Sequence, residues 1–401
     1  MSGAPLTIVS LYNRYLNRGG EDEVFEAEAE LLASHGHRVI RVEEHVREPV
    51  GWRERWKLAR NAIWSNDWNE KMRRLLQQNR PDVVHIHNWW PQMSPAVCYA
   101  AHSAGVPVVH TLHNYRLLCP NAIFFRNGRA CEDCMGKAIP WPGVLHACYQ
   151  ESRARTATIA TMLARHRQRN TWHEQVDVYI VLSEFARSKF IEGGLPAERI
   201  VVKPNFAYPT PAMGDGGGEY ALFVGRLAEQ KGISALLAAW ESLQEKLPLK
   251  IVGNGPMAVN VEGATRRLRG VKALGRQPRE AVIKLMQEAT ALIFPSIWYE
   301  TFGMSIIEAL AAGTPVIASN LGSMSSLVTH QRTGLHFRPG DPVDLVVQVE
   351  WMLAHPDQWR QMRQNARSEF EAKYTAEGNY EILIGIYEDA IERVKSARMT
   401  Q

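Results

Sequence analysis

The amino-acid sequence predicts an α/β protein built from two doubly wound domains, each a parallel sheet wrapped by helices. Short apolar runs typical of buried strands alternate with amphipathic helical segments along the whole chain. The length of 401 residues is sufficient for two or three domains with sizeable cores. A segment rich in proline and then glycine at 205–218 cannot hold a regular element, so we predict that it links a domain at 1–205 to one at 206–375.

The order of the elements also predicts where a ligand binds. The predicted strands lie at 6–11, 38–42, 82–86, 106–112, 177–182 and 200–202 in the first domain and at 220–224, 249–252, 291–294 and 315–318 in the second. A long helical pattern at 376–397 either extends the second domain or packs back onto the first. Because ligands of doubly wound sheets bind at the carboxyl ends of the strands, we expect the two domains to face each other across a ligand-binding cleft.

Composition excludes several classes of protein. The net charge is +4, and no basic face is concentrated enough for a nucleic-acid binder. No apolar run reaches the roughly 18 residues of a membrane-spanning helix. No signal peptide is recognisable, which predicts a cytoplasmic location. Residues 1–205 carry 26 Lys and Arg against 21 Asp and Glu, which predicts that the first domain suits an anionic surface or acceptor.

The stretch at 299–308, Tyr-Glu-Thr-Phe-Gly-Met-Ser-Ile-Ile-Glu, is the predicted centre of a ligand site. It joins the strand at 291–294 to a helix at 304–312, and the turn through Gly303 points unpaired backbone N–H groups into the crevice. Such donors, with the helix dipole, favour anionic or oxygen-rich ligands. Glu300 in the loop and Glu308 in the helix are predicted to meet different parts of one ligand. The alternative is two surface glutamates beside a helix start.

A second predicted ligand-binding turn follows the strand at 220–224. Gly225 allows close backbone approach, and Arg226 and Lys231 flank one short turn. Two cations in such a turn can clamp a diphosphate, the arginine as a fork and the lysine as a point charge. A further glycine turn at 253–255 is predicted at the same edge of the sheet.

The first domain offers weaker signals at its strand ends. Gly19 and Gly20 form a strand-to-helix turn that permits close approach of a ligand, but they form neither a GxGxxG motif nor a P-loop. Polar residues also lie at the ends of two of the strands. One or two of them are expected to contact a ligand and the rest to be structural: His85, His87, Asn88, His110, His113 and Asn114. Of these, His113 has the position best suited to ligand contact.

Two further patterns suggest metal and membrane binding. Four cysteines occur within an irregular insertion at 119–148, and in a chain without a secretion signal such spacing favours a structural zinc site over disulfides: Cys119, Cys131, Cys134 and Cys148. Four reduced thiols are the alternative. Tryptophans at multiples of four among basic residues predict a helix lying on anionic lipid headgroups, or a core-packing helix with a solvated basic face: Trp52, Trp56, Trp64 and Trp68.

Taken together, the motifs resemble a retaining family 4 glycosyltransferase of the GT-B fold, which consists of two Rossmann-like domains. Gly-Arg-Leu-x-x-x-Lys-Gly at 225–232 and Glu-x-Phe-Gly-x-x-x-x-Glu-Ala at 300–309 carry the resemblance. Gly-Gly at 19–20, Ser-Glu-Phe at 183–185 and Pro-Asn at 204–205 agree in order, so it spans nearly the whole chain. The cysteine-rich insertion is outside the common fold and resembles a knuckle found in a subset of such enzymes.

The resemblance implies that a nucleotide sugar, a UDP- or GDP-sugar, lies mostly on the second domain. Arg226 and Lys231 would hold its diphosphate, and Glu308 would bind ribose hydroxyls. Glu300 would hold sugar hydroxyls together with backbone N–H groups of three residues: Gly303, Met304 and Ser305. With these two cations on the leaving group, no catalytic metal is expected, and no Asp-x-Asp is present to hold one.

On the first domain, the resemblance implies that Gly20 approaches the phosphates and that His113 contacts the sugar near the reacting centre. The implied reaction transfers the sugar with retention to a glycan or a polyprenyl-diphosphate-linked glycan, in cell-surface polysaccharide or glycoconjugate synthesis. Such an enzyme would work at the cytoplasmic face of the inner membrane, with weak peripheral contact through its first domain. The alternatives are a nucleotide-sugar epimerase or hydrolase of the same fold and a non-catalytic sugar-nucleotide-binding scaffold. A Rossmann oxidoreductase is disfavoured, because no GxGxxG with a following acidic residue appears.

Overall fold

The computed structural model describes residues 4–16, 18–47, 49–243 and 245–399. The chain divides into two compact units. The first comprises Met1–Phe124, Glu132–Pro204 and Asn379–Gln401, and the second comprises Phe125–Cys131 and Asn205–Gly378. Each unit contains one six-stranded sheet.

The strands are two to eight residues long. In chain order they are β1 (Thr7–Arg14), β2 (Arg38–His45), β3 (Val83–Asn88), β4 (Val108–Thr111), β5 (Phe125–Arg126), β6 (Arg129–Ala130), β7 (Val178–Val181), β8 (Ile200–Val202), β9 (Ala221–Val224), β10 (Leu249–Val252), β11 (Val271–Gly275), β12 (Ala291–Phe294), β13 (Val316–Ser319) and β14 (Gly334–Phe337). Strands β5 and β6 form a separate two-stranded antiparallel sheet.

Helices alternate with these strands along the chain. They are α1 (Gly20–Ser34), α2 (Gly51–Ile63), α3 (Asn66–Asn79), α4 (Ala96–Ala104), α5 (Trp141–Leu145), α6 (Arg153–Gln168), α7 (Thr171–Glu174), α8 (Glu184–Glu192), α9 (Ile233–Leu243), α10 (Ala258–Arg267), α11 (Arg279–Glu288), α12 (Met304–Ala311), α13 (Met324–Leu327), α14 (Pro342–Ala354), α15 (Pro356–Lys373) and α16 (Ala376–Met399).

Both sheets are parallel and doubly wound, which confirms the predicted fold class. The first has the strand order β2-β1-β3-β4-β7-β8, and the second has the order β11-β10-β9-β12-β13-β14. Strand order therefore reverses between β1 and β3 in the first sheet and between β9 and β12 in the second. Such a reversal opens a crevice at the carboxyl ends of the strands, where ligands of this architecture bind.

The last helix packs on the first sheet. Leu383 and Tyr387 of α16 are fully buried against a core that includes Ile8 of β1, Val109 of β4 and Ile180 of β7. Burying one such aliphatic side chain contributes about 1.5–3 kcal/mol relative to leaving it exposed. The chain therefore returns from the second unit to complete the core of the first.

The tryptophan-rich segment contains two helices, which corrects the expectation of one row of tryptophans along a single helix. Trp64 is extended, with φ −157° and ψ 119°, and ends α2. Ser65 then caps α3 by accepting the Trp68 N–H at 3.3 Å. Trp52 and Trp56 are 73% and 65% exposed, whereas Trp68 is buried. Within the described ranges, no helix combines the length and the apolarity needed to cross a bilayer.

Candidate functional site

The crevice of the second sheet brings Lys231 and Glu300 together. Lys231 ends the turn after β9 and Glu300 lies in the loop after β12, so both occupy the carboxyl edge of adjacent strands. The Ile297 N–H donates to the Gln230 carbonyl at 2.9 Å and ties the two loops together. Lys231 Nζ lies 2.5 Å from Glu300 Oε1, and the two side chains are 22% and 6% exposed.

The Glu300 carboxylate is held by its own loop. Ser296 Oγ and Trp298 Nε1 donate to Glu300 Oε1 at 2.7 and 2.8 Å. Ser323 Oγ donates to the Glu300 carbonyl at 2.7 Å. Trp298 also stacks beneath the Lys231 ammonium, with 5.5 Å between Nζ and the ring centroid. Glu300 and Lys231 are therefore oriented in advance, and sequence reasoning had missed Ser296 and Trp298 as the groups that orient them.

Two glycine turns lie side by side at this edge, as predicted. The Leu227 N–H donates to the Asn254 carbonyl at 3.0 Å. A Cβ atom on Gly253 would lie 1.8 Å from the Gly225 carbonyl oxygen, so only glycine permits this approach. Arg226, between the two turns, is exposed to solvent. The structure thus pairs Lys231 with a carboxylate and leaves the Arg226 guanidinium at the surface.

The N-terminus of helix α12 has the backbone N–H groups and the dipole that an anion-binding site needs. Gly303 is its N-cap and makes no side-chain capping bond. The Gly303 carbonyl accepts from the N–H groups of Ile306 at 2.9 Å and Ile307 at 3.2 Å. Met304 and Ser305 occupy the first turn, where helix geometry supplies no carbonyl partner for their N–H groups. The positive end of the helix dipole lies at the same point.

Glu308 lies one turn further along α12 and is buried. Arg279, the first residue of α11, donates from Nη2 to Glu308 Oε1 at 3.3 Å. This partner is 29 residues earlier in the chain, and no local pattern indicated it. The Glu308 carboxylate is thus held by a long hydrogen bond to a partly exposed guanidinium.

In the first unit, Gly20 begins α1 at the turn after β1. The Gly19 N–H donates to Asp22 Oδ2 at 2.8 Å, which closes the turn. The next side chain, Glu21, accepts a hydrogen bond from Asn114 Nδ2 at 3.3 Å. Burial of the Glu21 carboxyl raises its pKa to about 7. Glu21 and Asn114 therefore meet between the loops after β1 and β4. Asn114 was among the polar residues expected at strand ends, and Glu21 was not predicted as a site residue.

His113 follows β4 and is buried. His87 Nδ1 lies 3.1 Å from His113 Nε2. Both rings line a cavity of about 20 Å³, together with Trp90 and Arg116. Such a volume is enough for one water molecule. Burial lowers the pKa of His113 well below its usual value, so the ring is neutral at neutral pH.

Behind these histidines lies a buried carboxylate on α1, Glu28. Its Oε2 accepts from Lys203 Nζ at 3.0 Å. Its Oε1 lies 3.1 Å from His85 Nδ1 and 3.3 Å from His87 Nε2. Burial alone would raise the pKa of Glu28, but Lys203 and His85 outweigh it and hold that pKa well below its usual value.

The four cysteines of the predicted zinc site differ in their burial. Cys119 and Cys134 are buried, and Cys131 and Cys148 are half-buried. A tetrahedral site holds four sulfur atoms at about 2.3 Å from one metal, so they must lie close together. Among the described residues of the first unit, the sulfur atoms of Cys119, Cys134 and Cys148 do not all lie within 4.8 Å of one another. Zinc binding stays a prediction, which metal analysis of the purified protein tests.

Two family models match this chain. The model of Glycosyltransferase Family 4 matches residues 1–209. The model of Glycosyl transferases group 1 matches residues 214–369. Together they match most of both units and leave residues 370–401, which include α16, outside the matched ranges.

Individual proteins with similar sequences share 25–34% identity with this chain. The D-rhamnosyltransferase WbpZ of Pseudomonas aeruginosa is 34% identical over 164 residues, which are 40% of this chain and 42% of that protein. An uncharacterized glycosyltransferase of Methanocaldococcus jannaschii is 25% identical over 82% of this chain and 81% of its own length. The crystal structure of HepE of Anabaena in complex with UDP has a TM-score of 0.67 at 17% identity, covering 98% of this chain and 100% of that one. This likeness confirms the predicted GT-B fold.

Proposed function

The chain belongs to glycosyltransferase family 4, and we propose from this premise that it transfers a sugar from a UDP- or GDP-sugar to a glycan or polyprenyl-diphosphate-linked glycan, with retention of anomeric configuration. The observation that carries the proposal is the preorganised Lys231–Glu300 pair in the crevice of the second sheet, 2.5 Å between Nζ and Oε1. HepE, the UDP-bound structural neighbour, supports a nucleotide-sugar donor.

Lys231 and Arg226 would stabilise the leaving diphosphate. An ammonium has three donors, so Lys231 can keep its bond to Glu300 and still donate to phosphate oxygens. Arg226 is exposed at the neighbouring turn and can add a bidentate contact. The first-turn N–H groups of Met304 and Ser305 supply further donors for diphosphate or sugar oxygens. Since these groups are positioned before the reaction, they lower its barrier without reorganisation.

Glu300 and Glu308 would bind hydroxyl groups of the donor. Glu300 Oε1 already accepts from three side chains, which leaves Oε2 to accept from the transferred sugar. Glu308 would exchange its 3.3 Å contact with Arg279 for ribose hydroxyls. Gly20 would let the α1 turn approach the phosphates, and His113 would contact the sugar near its reacting carbon.

In the proposed chemical step, the bond between the anomeric carbon and the diphosphate oxygen breaks as the acceptor oxygen bonds the same face of that carbon. The leaving phosphate takes the acceptor proton. The two cations neutralise the charge that develops on the diphosphate, so we propose catalysis without a metal and expect turnover to persist in EDTA.

We also propose that α2 holds the enzyme weakly at the cytoplasmic face of a membrane. Its exposed tryptophans carry cations over or beside their rings, with Arg53 5.4 Å from Trp52 and Arg60 6.0 Å from Trp56. Flotation with phosphatidylglycerol and phosphatidylcholine vesicles tests this. Binding should need anionic lipid and fall in a Trp52→Ala/Trp56→Ala variant, while Trp141→Ala, which removes an exposed tryptophan outside α2, should bind normally. Equal binding by both variants would contradict the proposal.

A thermal-shift panel of UDP, GDP, ADP and TDP and their sugar conjugates tests the donor site. A ligand at a hundredfold excess over its dissociation constant stabilises the folded protein by about 2.7 kcal/mol. We expect a shift with one nucleotide series, lost in Arg226→Ala and Lys231→Ala and kept in Lys246→Ala, whose lysine lies in an exposed ion pair. No shift with any series would favour a scaffold, and release of free sugar without an acceptor would favour an epimerase or hydrolase.

A further inference from the structure

The antiparallel hairpin formed by β5 and β6 belongs to the second unit, although its sequence lies in the cysteine-rich insertion at 119–148. The chain leaves the first unit after Phe124, adds Phe125–Cys131 to the second unit and returns at Glu132. Asn127 and Gly128 join the two strands with φ angles of 53° and 73°, the two positive values that a type I′ turn needs. The tip of the hairpin therefore has a defined shape.

This hairpin is too small to be stable by itself. Each strand has two residues, and an isolated two-stranded hairpin is marginally stable at best in water. Phe125, Arg126 and Ala130 are nevertheless half-buried. Because the segment clusters with the second unit, that unit supplies the contacts that stabilise it.

The tip of the hairpin meets the turn that carries Arg226 and Lys231. A Cβ atom built on Gly128 would lie 3.3 Å from Glu229 Oε1. Glu229 begins the short 3₁₀ turn that ends at Lys231. Both Glu229 and Arg226 are exposed, so the hairpin touches the outer side of this turn.

The inner side of the same turn is fixed by neighbouring loops. The Leu227 N–H donates to the Asn254 carbonyl at 3.0 Å, and the Gln230 carbonyl accepts from the Ile297 N–H at 2.9 Å. These bonds hold the backbone, whereas Glu229 projects away from them towards the hairpin tip. The turn is therefore held from two sides, by the loops of the sheet and by the hairpin.

We propose that the β5–β6 hairpin is a positioning element of the donor site, which keeps the turn at 226–231 in the conformation that binds a diphosphate. This inference rests on the proposed function, which assigns the diphosphate to Arg226 and Lys231. Gly128 is the contact point, because its positive φ and its closeness to Glu229 both favour a residue without a side chain. Arg126 and Arg129 pair across the strands beside this tip, so the hairpin also brings positive charge towards an anionic ligand.

Hydrogen exchange of the full chain with and without UDP or GDP tests this role. The nucleotide that binds should protect residues 125–130 together with 226–231, and the edge strand β14 should not change. Protection at 226–231 without any change at 125–130 would overturn the proposal. If neither nucleotide protects 226–231, the proposed donor site fails, and exchange without ligand then decides whether the hairpin holds the turn.

Gly128→Val and Gly136→Val are a matched pair for both measurements. The two glycines lie in the same insertion with φ angles of 73° and 70°, but no atom of the described residues lies within 4 Å of a Cβ atom built on Gly136. Valine therefore strains both backbones alike, and only Gly128→Val should speed ligand-free exchange at 226–231. Its affinity for UDP or GDP should fall about tenfold, because a looser turn must be ordered on binding.

A conservative variant separates the shape of the tip from a general loss of structure. Asparagine tolerates a positive φ, so Gly128→Asn should keep most of the nucleotide affinity that Gly128→Val loses. Equal effects of the two valine variants, or no effect of either, would overturn the proposal. If Gly128→Val does not fold, the exchange experiment on the wild type still decides the question.

Discussion

Two lysine–glutamate pairs distinguish the two units. In the first unit, Lys203 Nζ lies 3.0 Å from Glu28, and the side chains are 1% and 3% exposed. In the second unit, Lys231 Nζ lies 2.5 Å from Glu300, and its side chain is 22% exposed. The contacts are chemically alike, but only Lys231 can still reach solvent and therefore a ligand. Burial, rather than distance, separates a pair that holds the fold from one suited to binding.

The largest expected effect concerns the buried pair. Lys203→Met leaves the Glu28 carboxylate in a dry core without its counter-ion, and breaking a buried pair in this way costs about 3–5 kcal/mol. Hydrogen exchange should show lost protection in β3 peptides. Protection of β12 peptides, in the second unit, serves as the internal control. A loss below about 1 kcal/mol would remove the distinction between the two pairs.

The Lys231–Glu300 pair, of which only the lysine is partly exposed, should act mainly on turnover. Lys231→Met removes one cation from the proposed leaving-group site, which costs on the order of 3 kcal/mol in the transition state, or roughly a hundredfold in kcat. Because Ser296 and Trp298 still donate to the Glu300 carboxylate when Lys231 is gone, the loss of thermal stability should be smaller than in Lys203→Met. Full activity in an Arg226→Ala/Lys231→Met double variant would rule out this site.

Lowering the pH should destabilise the first unit more than the second. Burial lowers the pKa of five of its described histidines: His85 to about 4, His110 to about 3 and His166 to about 4, with His37 and His113 also lowered. Below pH 6.5 these histidines are protonated in the unfolded chain but stay neutral in the folded protein. Each therefore lowers the free energy of unfolding by about 1.4 kcal/mol per pH unit, down to its folded pKa.

Glu21 has the opposite effect on stability, because lowering the pH stabilises the folded state through this carboxyl. Its pKa of about 7 means that the folded state holds an extra proton between pH 7 and the unfolded carboxyl pKa, which offsets about one histidine. Hydrogen exchange at pH 7.5 and 5.5, corrected for intrinsic rates, should therefore show a net loss of protection in β3 relative to β12. Equal losses in both sheets would contradict this sign.

The smallest expected change in stability comes from a lysine–glutamate pair in which both side chains are exposed, which serves as the reference for the other two. Lys246 pairs with Glu350 at 2.6 Å, but these side chains are 58% and 46% exposed. Lys246→Met should change stability by about 0.2–1 kcal/mol and leave kcat unchanged. A loss approaching that of Lys203→Met would show that distance, and not burial, sets the strength of such pairs in this chain.

Local patterns predicted much of the fold because they reflect local physics. The apolar runs that became β9 and β12 are buried on both faces, so their sequence signal is strong. The edge strands β11 and β14 were not among the predicted strands. Lys272 and Ala273 of β11 are exposed, which dilutes its apolar pattern. The break at Trp64 was missed because helical composition continues on both sides of it. Ser65, a good N-cap residue, was the available signal.

The sequence predicted the motif residues of the candidate site but not the buried residues behind it. Glu300, Glu308 and Lys231 stand in short motifs next to strand ends, so their placement followed from the order of elements. Glu28 instead occupies an amphipathic helix, where a glutamate usually indicates the solvated face, and its partner Lys203 is 175 residues away. Contacts between residues so far apart in the sequence are set by tertiary packing. They cannot be predicted from composition or periodicity.

The return of α16 to the first unit sets an order of events during synthesis. Asn379 donates to the Pro204 carbonyl and accepts from Lys203, so the two ends of the second unit's chain meet in the first unit. At about 5–20 residues per second, the ribosome needs roughly 10–35 s to make the intervening residues 205–378. During that time the first sheet lacks Tyr387 and its neighbours on one face. The second unit, made later, can therefore close its core before the first does.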